Sequence, residues 1–101
     1  VTSRQRHPLL PQVPTFAESG FPGYEAVSWH ALFAPAGTPP AVVARLHTDV
    51  TQALRSPEIQ EHFAALGLVV DARTPADTQQ FVQDETRKWG EVVKATGASL
   101  D

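Results

Sequence analysis

Thr2, Ser3 and Arg6 stand where an extended segment gives way to a proline-rich loop. In open α/β sheets, strand ends of this kind are where ligands bind. The two hydroxyls can donate to a carboxylate, and a guanidinium can grip one through a two-point fork. Thr15 is a fourth candidate. It precedes Glu18 by three residues in the pattern of a capping box, and the turn it opens leaves backbone N–H groups that attract an anion. The capping role by itself also accounts for Thr15. Trp29 is the fifth, an aromatic beside a turn that suits either the wall of a cleft or a packed interior.

Other chemistries find less in the chain. Four histidines, His7, His30, His47 and His62, have neither the i,i+4 pairing nor the cysteines of a zinc site. Ser28 and His30 lie on one face of a predicted strand, without the sharp strand-to-helix turn that exposes a serine nucleophile. Glu18, Glu25 and Asp71 show no spacing that selects an acid–base pair, and no motif calls for a cofactor. The reading is therefore of a protein that is not an enzyme. Eight basic and 11 acidic side chains give a net charge of −3, and no basic stripe suits nucleic acid. With so little positive charge, anion capture falls to oriented N–H groups or to one or two arginines. Zero cysteines exclude disulfides and thiolate metal sites.

The elements that must position these residues follow from punctuation and periodicity. The chain has 101 residues and 42% hydrophobic side chains, enough for one domain that buries about two-thirds of its unfolded surface. Val1 to Ser3 reads as the tail of a strand that begins outside the segment. Three prolines between Arg4 and Pro14 make an irregular connection. A short helix capped by Thr15 stops at Gly20, and a strand is expected through Ser28 to Phe33.

Three further helices begin at Thr38-Pro39, Ser56-Pro57 and Thr74-Pro75, where a hydroxyl can cap and proline loses nothing at the first helical position. Their apolar faces are Val43, Leu46, Val50 and Leu54; Ile59, Phe63 and Leu66; and Phe81, Val82, Trp89, Val92 and Val93. A short strand is expected at Leu68 to Ala72. The fold class predicted is α/β and helix-rich, with about three short strands and three to four helices. Three strands not joined as a hairpin make a poor sheet alone, so they read as completing a sheet begun elsewhere. On the outer face of the last helix, the spacing predicts Asp84 with Lys88 and Arg87 with Glu91 as i,i+4 pairs.

The order of these features resembles one receptor family. The VTS strand end with Arg6 behind it, P-x-V-P-T-x-x-E-x-G at Pro11 to Gly20 and WHALFAPAGTP at Trp29 to Pro39 carry the likeness. So do the S-P-E helix start at Ser56 to Glu58 and W-G-x-V-V-K-A-x-G at Trp89 to Gly97. Together they resemble the C-terminal third of extracytoplasmic solute receptors of tripartite tricarboxylate transporters, the Bug or TctC-like proteins.

That resemblance implies a periplasmic-binding-protein-like (type II) fold of two lobes around a cleft. Residues 1–101 would form a single C-terminal segment, mostly of lobe one, with the end of a hinge strand at 1–3. It implies an exported, periplasmic receptor that closes on a small carboxylated metabolite and delivers it to membrane transporter subunits. The missing N-terminal part of the same receptor would then be its first partner, with a homodimer of the fragment as another way to cover its apolar surface. In this frame Thr2, Ser3 and Arg6 have a second reading as residues flanking the hinge. The family keeps a Trp at position 29, but His30 and Ala31 follow it here where many relatives carry a small residue or glycine. The alternative to a receptor fragment is an autonomous small α/β module that docks a protein partner.

Overall fold

The computed structural model describes residues 1–100. The chain divides into two units, Val1–Gly37 and the residues from Thr38 onward. The first holds turns and extended backbone with no regular helix. The second carries α1 (Pro40–Leu54), α2 (Pro57–Ala65) and α3 (Pro75–Thr96).

No strand occurs among the described residues, which corrects the α/β expectation. Val1 to Ser3, Ser28 to Phe33 and Leu68 to Ala72 have no ladder along them, and the described residues form three helices and no sheet. β-branched and aromatic content favours extended φ and ψ, but a strand also needs a neighbour to complete its N–H···O=C ladder. The bonds made by the first of these segments are isolated ones: Phe16 N–H, in a turn, donates to Val1 O at 3.0 Å and Ala26 N–H, in irregular backbone, to Thr2 O at 2.9 Å.

The helix starts obey capping chemistry with one shift. Ser56 Oγ accepts from Ile59 N–H at 3.3 Å, and Thr74 Oγ1 accepts from Asp77 N–H at 3.1 Å while donating to Asp77 Oδ2. Thr38 does not cap α1. The residue before a proline is driven out of the helical region, so Pro39, which precedes Pro40, sits at φ −55°, ψ 138° and becomes the cap residue. α1 consequently has no side-chain cap.

The ends of α2 and α3 are closed by glycine, whereas α1 ends on Arg55. After α2, Gly67 N–H donates to Ala64 O at 3.0 Å and Leu68 N–H to Phe63 O at 2.9 Å, the paired bonds of a Schellman motif. Gly97, with φ +67°, ends α3 and donates to Val93 O at 2.9 Å. The segment after Thr15 is shorter than expected. Ser19 N–H reaches Thr15 O and Phe21 N–H reaches Phe16 O, both at 3.1 Å, but the coil stops as a hydrogen-bonded turn. Gly20 at φ +104° and Pro22 just beyond it leave no room for a second turn.

The predicted apolar faces are only half covered. Val43, Val50 and Leu54 of α1, Ile59 and Phe63 of α2, and Phe81 and Val82 of α3 are half-buried, and α1 packs on α2. Leu46, Leu66, Trp89, Val92 and Val93 are exposed, and no apolar side chain among the described residues is fully buried. Among the described residues the two that are buried are polar, Thr15 and Glu85. Glu85 accepts from the Trp89 indole N–H at 2.9 Å and from Lys88 Nζ at 2.6 Å. Arg87 pairs with Asp84 three residues back, at 3.3 Å. The charges on α3 therefore pair at i,i+3 where i,i+4 was expected.

Candidate functional site

All five candidate residues lie in the first unit. What organises them there is a clamp around Glu18. The Thr15–Glu18 capping box forms as predicted: Glu18 N–H donates to Thr15 Oγ1 at 3.1 Å and Thr15 N–H to Glu18 Oε2 at 2.7 Å. Ser19 Oγ adds a bond to Thr15 O at 2.8 Å. Arg6 then folds over the same carboxylate. Its Nε lies 3.1 and 3.0 Å from the two Glu18 oxygens, and its Nη1 donates to Pro11 O at 3.1 Å. Arg6 beside Glu18 is the largest reason, and the Thr15 N–H the next, that the Glu18 carboxyl is held below the ordinary carboxylate value.

The turn so fixed supports the start of the chain. Val1 N donates to Pro14 O at 2.7 Å, Phe16 N–H donates to Val1 O, and Ala26 N–H to Thr2 O. Arg4 forms a second ion pair nearby, with Glu25 at 2.9 Å. Phe16 stacks on Tyr24 with ring centroids 5.0 Å apart and lies 5.8 Å from Phe21, so one aromatic cluster spans the Thr15 turn and the next.

These contacts divide the candidates. Thr2 is exposed and its hydroxyl has no bond to another side chain or backbone group among the described residues, while its carbonyl is fixed by Ala26. Ser3 gives its hydroxyl proton to Gln5 O at 2.7 Å, which leaves it lone pairs rather than a donor. Arg6 spends its Nε and one terminal nitrogen on Glu18 and Pro11. Thr15 is 2% exposed and uses its side chain inside the capping box. Trp29 is partly open to solvent, at 38%. Thr2, Ser3, Arg6 and Thr15 are thus gathered in one bonded neighbourhood, whereas Trp29 lies further along the extended segment.

Sequence reasoning missed the Arg6–Glu18 and Arg4–Glu25 pairs. Their opposite charges were visible, but the loop that brings them together was not. On the helical unit, surface hollows are lined by Arg73, Asp77, Gln80, Phe81 and Asp84, and by Glu58, Ile59, Glu61, His62 and Ala65, with none of the five candidates in either. No group of histidine, aspartate or glutamate able to hold a metal occurs among the described residues, and no described helix is long and apolar enough to cross a membrane.

The chain as a whole is similar in sequence and fold to periplasmic binding proteins. The fold matches the periplasmic binding protein BugD with a TM-score of 0.76 and 38% identity, over 95% of this chain and 33% of that one. It matches R. palustris Rpa4515 with adipate equally well, at TM-score 0.76 and 38% identity, over 95% of this chain and 32% of the other. In sequence it is 40% identical to protein BugT of Bordetella pertussis over 99% of its own length. The tripartite tricarboxylate transporter family receptor (TctC) model matches residues 1–98, and the chain belongs to that family. It spans 31% of BugT and about a third of the two structures.

Proposed function

We propose that this chain forms part of a periplasmic receptor that captures a small carboxylated solute between two lobes and passes it to a tripartite transporter in the membrane. The observation that carries the reading is the agreement of family and fold along nearly the whole chain, with a relative of the same fold bound to adipate. Within that receptor the segment supplies scaffold, and the Thr2 hydroxyl is its best-placed donor to a ligand carboxylate. Trp29 serves as an aromatic wall, while Ser3, its hydroxyl proton given to Gln5 O, has no donor left for a carboxylate. Arg6 and Thr15 serve the ligand by holding the loop. The rest of the receptor covers the apolar side chains that are open here.

An autonomous interaction module would need a closed apolar interior, and the bare faces of α1 and α3 speak against it. A homodimer of the segment has no support in the comparisons. The test is calorimetric titration with a series of linear dicarboxylates that includes adipate. The full-length receptor carrying this segment should bind one of them, and the isolated 101-residue chain should bind none at micromolar concentration. Micromolar binding by the isolated chain would overturn the scaffold role, and a receptor silent to the whole series would overturn the carboxylate reading.

A further inference from the structure

We infer that Glu18 is the positioning residue that sets where Thr2 stands. The inference rests on the reading of Thr2 as a ligand-facing donor. Glu18 itself is not proposed to touch ligand. Its carboxylate gathers three groups at once: the Arg6 guanidinium, the Thr15 N–H and, through the same arginine, the Pro11 carbonyl. That closes the loop from Arg6 to Glu18 into a ring of polar contacts. From the closed ring, Phe16 N–H projects to Val1 O and Pro14 O receives Val1 N. Thr2, one residue on, is held from a different segment by Ala26 N–H. The backbone at Val1–Thr2 is therefore gripped between the Thr15 turn and the irregular segment at Ala26, and the grip on Val1 depends on the turn that Glu18 closes. Thr15 N–H and the Arg6 Nε converge on Oε2, and Oε1 shares the same Nε–H, so the negative charge of the carboxylate sits where both donors point.

The experiment is amide hydrogen exchange on Glu18→Gln, which keeps size and removes charge. Exchange at the Phe16 and Ala26 amides should rise by about fivefold, the upper reach of an exposed ion pair, while α2 and α3 amides hold their rates. Glu18→Asp, which keeps the charge but withdraws it by one methylene, should give an intermediate rise. Glu25→Gln, which removes the charge paired with Arg4, should leave the Phe16 amide unchanged. Unchanged exchange at Phe16 and Ala26 in Glu18→Gln would overturn the inference. So would a uniform rise through all three helices, since that assigns Glu18 to general stability alone. The ligand reading fails separately: if Thr2→Val leaves the dicarboxylate affinity of the full-length receptor unaltered, Thr2 is not the donor, whatever the exchange rates show.

Discussion

At the residue scale, Glu18 ties a local signal to a distant one. Its depressed pKa, caused first by Arg6 and then by the Thr15 N–H, means that its contribution to loop stability is complete above the ordinary carboxylate pKa. That contribution is lost as pH falls through the lower folded value. A carbon-detected NMR titration of the Glu18 carboxyl should therefore give a midpoint below that of an unperturbed glutamate. A midpoint at or above the ordinary value would show that Arg6 does not hold the pair in solution. The capping box was legible in the sequence because its partners lie three residues apart and one turn of coil brings them together. The Arg6 contact spans 12 residues, and no periodicity reports how a loop with three prolines doubles back. The candidate site was thus legible in its residue types, while the way Arg6 and Thr15 are spent on scaffold was not.

At the scale of elements, punctuation was read well and pairing was not. Ser56, Thr74, Gly67 and Gly97 stand at helix ends because the signals for starting and stopping a coil are local. Even the failure at Thr38 has a local cause, the second proline that pushes Pro39 out of the helix. The three expected strands failed because a ladder is a property of two segments and only one of each pair can be read from an extended run. The α3 stop offers a direct check. Gly97 has φ +67° and nothing within 4 Å of where a Cβ would sit, so Gly97→Ala meets no clash and suffers only the left-handed backbone penalty. That penalty is about 1 kcal/mol, and it should appear as fraying of the last turn of α3 in amide exchange with α1 unaffected. Full retention of protection at Gly97 would show that the cap contributes nothing to the end of the helix.

At the scale of the whole molecule, the dominant fact is surface. Leu32 is 80% exposed, Phe33 66% and Val69 66%, and the last helical turns of α3 leave Val92 and Val93 open. A chain spanning about a third of its relatives and carrying so much uncovered apolar area should bind a dye that fluoresces on apolar surface. It should do so in its native state, below any thermal transition. A native chain that leaves the dye dark would mean these side chains are covered in solution by a contact the single chain does not contain.

The half-covered helix faces also reach into calorimetry. The heat-capacity increment of unfolding arises from apolar surface that was dry and becomes wet, and ordinary domains show about 12–15 cal/mol/K per residue. Here most of the large apolar side chains are already wetted in the native state. The increment should fall well short of that range, and the free energy of unfolding should bend little with temperature. Cooling would then cost such a chain little stability, because it has little hydrophobic driving force to lose.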